Sequence, residues 1–300
     1  MGNTSIHWTQ KTWNPTIGCK RVSSGCDSCY AFALHDKRHV AWKHGNYPTA
    51  PEQYHKPFSQ VQLMPDRLED PLHWKKPCMV FVNSMSDVFH EDIPDEFILK
   101  MFTVMRRASQ HTFQILTKRP DRMYLFMQQL AWRTPTTEER EAGGLTGYGW
   151  QAYLAKEHAI PLPNVWLGVS VENQDAADSR ISTLAETPAA VRFLSCEPLL
   201  GPIVFDPEWL WCEYYVPSYE LQHWADSGAR QVQLIHWCIV GGESGPRFRP
   251  MNPDWARSIR DQCDEHGVAF FYKQGSDIRS GQHRELDGRL WEEFPEQAVK

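Results

Sequence analysis

The sequence predicts an α/β protein folded as one (β/α) barrel, full or partial and TIM-like. Short apolar runs with strand character recur along its 300 residues, helical patterns lie between them, and each run ends in a polar cluster. Alternating strands and helices give a parallel sheet joined by right-handed crossovers. An open doubly wound sheet is the second architecture this pattern allows.

The runs are 79–82, 113–116, 165–169, 191–194, 236–240 and 268–272, each short and nearly all apolar, as strands buried on both faces are. With 13–19 as a first strand the count is about seven. The segment 92–105 reads as a helix, with Asp92 as cap, Pro94 and acids in its first turn, and Phe97, Met101 and Met105 at helical spacing. Another helix starts at Asn252, Pro253 and Asp254 and stops at His266 and Gly267. Two stretches, 131–164 and 205–233, break the rhythm and read as loop insertions in a single domain spanning 1–300.

Composition narrows the function. A hydrophobic fraction of 41% supports a large core. No apolar run reaches the ~18 residues of a membrane span. The first residues lack the basic start and apolar stretch of a signal peptide, so a cytoplasmic location is expected. A net charge of −6 excludes a globally basic surface, leaving nucleic acid only a local patch. Eight cysteines are too few for a disulfide scaffold, which favours thiolate or metal roles.

Three cysteines carry the sharpest signal. Cys19, Cys26 and Cys29 are spaced C-x6-C-x2-C on a glycine-bracketed loop, where three thiolates can converge on one soft metal centre. No fourth ligand is near, and an open coordination position is where chemistry happens. Cys196, at a strand end, is the best distant candidate for a fourth.

Polar residues at the carboxyl ends of parallel barrel strands face the ligand site. One mouth is therefore expected to collect the thiols with Asn83, Ser84, Asp87, Lys118, Arg119, Ser170, Glu172, Glu197, Gly241, Gly242, Glu243 and Lys273. Tyr30 and Arg247 extend its rim. Glu172 and Glu197 have two readings, ligand contacts or partners of Lys118, Arg119 and Lys273. The run 241–245 is either a tight turn or a place where a ligand approaches the backbone.

The segments 13–19, 26–30, 83–87, 117–120, 168–173, 195–198 and 241–245 resemble a phage-associated three-Cys-motif family of unknown function. A three-Cys loop after the first strand of a β/α barrel also resembles the radical S-adenosylmethionine (radical SAM) superfamily, although six residues fill the first gap where three are common. The superfamily resemblance implies that Cys19, Cys26 and Cys29 hold a [4Fe–4S] cluster whose fourth iron binds S-adenosylmethionine. It implies reductive cleavage to a 5′-deoxyadenosyl radical, with electrons from a donor protein. It places Asn83, Ser84 and Asp87 at the methionyl amine and Ser170 and Glu172 at the ribose.

The phage association suggests a nucleic-acid base or nucleotide as substrate. Lys118, Arg119, Arg122, Arg247 and Arg249 would ring the mouth, and aromatics of 205–233 would stack a base; a partner protein is a further possibility. Two other classes stay open. One is a zinc-binding, non-catalytic nucleic-acid-binding or adaptor protein. The other is a hydrolytic barrel enzyme with Glu172 and Glu197 as acid and base.

Overall fold

The computed structural model describes residues 4, 6–132, 161–216 and 228–296. Most of the two expected insertions, 133–160 and 217–227, lies outside them. Seven strands form one parallel sheet in chain order: β1 (Lys11–Trp13), β2 (Met79–Val82), β3 (Thr112–Thr117), β4 (Val165–Ser170), β5 (Val191–Cys196), β6 (Trp237–Gly241) and β7 (Ala269–Gln274). Neighbours in sequence are neighbours in the sheet, with no reversal of order, so the doubly wound alternative is set aside. The sheet curls into a half-barrel. Among the described residues β1 and β7 are its two edges, so the full barrel does not form.

The period-two alternation of strands assigns two faces. Val80, Val82, Phe113, Ile115, Val165, Leu167, Val169, Leu194, Val240 and Phe270 join the main core with the buried residues of the helices. These helices include α2 (Asp95–Arg107), α3 (Pro120–Trp132), α4 (Gln174–Glu186) and α5 (Pro253–Glu265), all of which follow α1 (Tyr30–Lys43) in the chain. The intervening residues Phe81, Trp166, Phe193, Trp237 and Phe271 form a second cluster on the concave face. Trp8 and Phe294, from segments outside the sheet, complete it, with ring centroids 4.7 Å (Trp8 to Phe81) and 5.1 Å (Phe294 to Trp237) apart. Aromatic rings from both ends of the chain thus fill the concave side. The 291–293 segment also pairs along β7 and shields that edge, through Tyr272 N–H to Trp291 O and Glu293 N–H to Phe270 O.

Two local expectations shift. The first strand ends at Trp13, because Pro15 has no N–H for the ladder. Thr16–Ile17 instead pairs antiparallel with Gln62–Leu63. Helix α2 begins at Asp95 with Pro94 at its cap position, and Asp92 lies outside it, paired with Lys20 at 3.0 Å. Helix α5 starts as expected: the Asn252 side chain accepts from Asp254 N–H, and Pro253 occupies the first turn. Its stop at Gly267 has φ +65°. No helix among the described residues is long and apolar enough to cross a membrane.

Candidate metal centre and ligand cavity

The same alternation that buries Phe81, Trp166, Phe193, Trp237 and Phe271 on the concave side places Asn83, Ser170, Glu172, Glu197, Gly241, Glu243 and Lys273 in register with them, at the carboxyl ends of the strands. Over this end lies the cysteine loop. Cys19 N–H donates to Phe58 O at 2.9 Å, residues Ser24–Cys26 make one tight helical turn, and Cys29 immediately precedes α1. Ile17, Ala31, Phe32 and Phe58 form an apolar floor against which Cys19 and Cys29 pack. The three thiols, all half-buried, line one cavity of about 150 Å³. Tyr30, Asn83, Ser84, Asp87, Lys118, Arg119 and Ser170 line it with them.

Three carboxylate–arginine pairs hold the loop from below. Asp87, buried after β2, accepts from Thr117 Oγ1 at 2.7 Å, Lys118 N–H at 3.2 Å and Arg119 Nη1 at 2.9 Å. Arg119 also donates to Cys19 Sγ at 3.8 Å and to Lys20 O at 3.3 Å. Glu172, after β4, pairs with Arg180 of α4 at 2.8 Å and accepts from Gly25 N–H at 3.4 Å. A Cβ on Gly25 would sit 3.0 Å from that carboxyl carbon, a tight contact that the glycine avoids. Glu243, after β6, takes Arg249 N–H at 2.7 Å and Nε–H at 3.0 Å. Arg249 in turn donates to Ser24 O at 3.0 Å and lies 3.5 Å from Asp27.

Burial alone would raise the carboxyls of Glu172 and Glu243. Hydrogen bonds and charge outweigh it: Arg180 and the charge of Lys118 hold Glu172 below the usual glutamate range, and Arg249 does the same for Glu243. The Cys19 thiol moves the other way. Burial pushes it up to about 11, Asp87 adds to the shift, and Arg119 opposes it.

The structure thus divides the expected mouth. The thiols, Tyr30, Asn83, Ser84, Asp87, Lys118, Arg119 and Ser170 share the cavity; Glu172, Glu197, Gly241, Gly242, Glu243, Arg247 and Lys273 do not line it. Both Glu172 oxygens are engaged by protein, and its cation is Arg180 rather than Lys118, Arg119 or Lys273. Glu197 does pair with Lys273, at 2.5 Å. Gly241 and Gly242 admit protein rather than ligand: a Cβ would lie 3.2 Å from the Glu197 side chain at the first and 2.4 Å from Ser276 N at the second. Arg247 is exposed. Of the expected cationic ring, Arg119, Arg122 and Arg249 are already ion-paired.

Arg180 escaped the sequence reading, yet left a signal. It falls one turn from Ala176 and Ala177, between Ala177 and Ile181 on the buried stripe of α4. An arginine on such a stripe calls for a buried acid. Cys196, the distant fourth-ligand candidate, faces the helices instead: it is fully buried, with its sulfur 3.8 Å from that of Cys238.

Two features of the cavity point to a ligand. Asn83 has φ +59° and is buried, and while its Nδ2 donates to Thr16 Oγ1 at 2.7 Å, its Oδ1 has no partner. Lys118 lines the same space with no salt bridge or side-chain hydrogen bond among the described residues. The thiols are spread more widely than ligands of a single ion. Among the described residues only His90, Glu91 and Asp92 bring three ligand atoms within 4.8 Å of one another, and there the Lys20 ammonium already contacts both carboxylates.

No curated protein and no solved structure matches the chain. A family model described as Protein of unknown function (DUF5131) matches residues 3–295, nearly the whole of it, and the chain belongs to that family.

Proposed function

We propose that the chain is an iron–sulfur enzyme of the radical S-adenosylmethionine type, with Cys19, Cys26 and Cys29 holding a [4Fe–4S] cluster. One observation carries the reading: three thiols share a cavity with an unpartnered buried acceptor, Asn83 Oδ1, and with Lys118, a cation that makes no salt bridge or side-chain hydrogen bond among the described residues. The acceptor calls for a donor and the cation for an anion. An α-amino-acid head group offers both, and S-adenosylmethionine carries one.

The donor set fits the cluster. Sulfurs on one tetrahedral zinc ion lie roughly 3.8 Å apart, given a Zn–S bond near 2.3 Å. Ligands of a cuboidal cluster bind separate irons and stand further apart. When bound on such a cluster, S-adenosylmethionine supplies a 5′-deoxyadenosyl radical by one-electron reductive cleavage. The chain's own residues orient and exclude. Asn83 and Lys118 grip the head group, the Ser170 hydroxyl adds a polar contact, and Phe32 and Phe58 keep water from the floor.

The alternatives are less well served. A closed zinc site lacks both the close sulfurs and a fourth thiol, because Cys196 belongs to the helix-side core. A hydrolytic site needs a carboxyl that carries a proton near neutral pH. Glu172 is held in the opposite direction, and Glu197 is tied to Lys273. A nucleotide or nucleic-acid substrate now rests on Lys118 and Arg247. Salt-sensitive oligonucleotide binding that falls in a Lys118→Ala, Arg247→Ala variant is the expected sign of it; no binding at low salt points to a small molecule or a partner protein.

The proposal is tested by incubating anaerobically reconstituted protein with S-adenosylmethionine and dithionite, then measuring 5′-deoxyadenosine by chromatography. Its appearance is expected, and its absence from fully iron-loaded protein would overturn the reading. Lys118→Met should weaken S-adenosylmethionine binding about 10- to 100-fold, the worth of one charge-assisted hydrogen bond, while leaving iron content unchanged. Equal affinities in the variant and wild type would remove Lys118 from the head-group site.

A further inference from the structure

We infer that Arg119 and Asp87 act as an opposed pair that sets the reduction potential of the metal group at its Cys19 corner. The inference rests on the iron–sulfur reading and deepens it. Arg119 Nη1 stands between two anions or incipient anions, donating to Cys19 Sγ at 3.8 Å and to Asp87 Oδ2 at 2.9 Å. Its Nη2 reaches Lys20 O at 3.3 Å and its Nε lies 3.4 Å from Glu91, so the guanidinium is gripped on every arm. Both side chains are almost buried, 11% exposed for Arg119 and 8% for Asp87. Charge effects are strong in such a setting.

A donor on a ligating sulfur draws off electron density and stabilises the reduced, more negative state. A carboxylate behind it does the reverse. The two therefore pull the potential in opposite directions. Among the described residues neither Cys26 nor Cys29 receives a side-chain hydrogen bond on sulfur, so the three corners are not equivalent. A pair serving only to hold the loop would not require a donor aimed at the thiol. Arg180 and Arg249 hold the same loop through Glu172 and through Ser24 O, without touching sulfur.

The test uses the full chain, reconstituted anaerobically, as wild type, Arg119→Gln and Asp87→Asn. Iron per chain and the visible absorption are measured first. Each sample is then titrated with dithionite and redox mediators, following the one-electron reduction of the cluster by its paramagnetic spectrum. The midpoint should move to more negative potential in Arg119→Gln and to more positive potential in Asp87→Asn. Shifts of the same sign, or none, at full iron content would overturn the inference. Should Arg119→Gln lose its iron, Arg119→Lys keeps the charge without the fork and must still move negative. Iron loss in every variant beside a loaded wild type would make the pair purely structural and also overturn it. A wild type that takes up no iron would instead sink the iron–sulfur reading itself.

Discussion

Replacing any one of Cys19, Cys26 or Cys29 by alanine should leave anaerobically reconstituted protein with little or no iron, whereas Cys212→Ala and Cys263→Ala should load like wild type. The contrast follows from place. The first three thiols line one cavity over an apolar floor. Cys212 is exposed in a two-stranded ribbon (Trp211–Val216 with Gly228–Gln233), and Cys263 is buried in α5 among core side chains. A three-thiolate site has no spare ligand, so losing one would remove a corner of the proposed cluster. Cys263→Ala trims a core side chain and should cost only about 1 kcal/mol of stability, seen as a lower denaturation midpoint with iron retained. Full iron content in a Cys19, Cys26 or Cys29 variant would contradict the assignment of that thiol.

Glu172→Ala should destabilise the fold by about 3–5 kcal/mol in chemical denaturation, because it strands a buried arginine. The Arg180 side chain is only 10% exposed and the Glu172 side chain 1%. The same change takes the acceptor from Gly25 N–H, so the cysteine loop should become more open to trypsin at Lys20 and Arg21. Adding Arg180→Met to Glu172→Leu removes both charges and should recover most of the stability. The double variant should still show the loosened loop, since the acceptor for Gly25 is gone. A Glu172→Ala protein as stable as wild type would contradict the buried pair.

The same contacts give a pH dependence with a definite sign. Glu172 and Glu243 are held below the ordinary glutamate value of 4.5. Their stabilisation is fully present above the unfolded value and is lost as pH falls through the lower folded values. Stability should therefore fall on acidification below about pH 4.5, and fall less steeply in the Glu172→Leu, Arg180→Met double variant. An equal fall in both proteins would remove this pair from the acid response.

Much of the architecture was legible in the residues. Parallel strands buried on both faces read as apolar runs, and six of the seven expected runs became sheet strands. The first was legible only in part, although Pro15 carried the signal that β1 must end early. The cysteine spacing marked the loop, and the polar strand ends marked the mouth. Whether the barrel closes was not legible. That depends on what fills the concave side, and Trp8 and Phe294 come from segments with no strand pattern.

Pairing inside the mouth was half legible. Glu197 with Lys273 was expected from the need to compensate buried charge. Glu172 with Arg180 was not, because it joins a strand end to the helix that follows, and only the arginine's place on the buried stripe of that helix signals it. Gly241 and Gly242 misled for a general reason: a glycine makes room for whatever approaches, and a sequence does not say whether that is ligand or protein. The unpartnered Asn83 oxygen was beyond any sequence reading, since it depends on which groups its neighbours have already engaged.

The most direct test of the central claim is the paramagnetic spectrum of anaerobically reconstituted, dithionite-reduced protein, recorded with and without S-adenosylmethionine. Three thiolates and an open iron predict about four irons per chain, a reduced-cluster signal, and g values that shift when S-adenosylmethionine is added. One zinc per chain without iron after reconstitution, or an iron–sulfur signal that S-adenosylmethionine leaves unchanged, would contradict it.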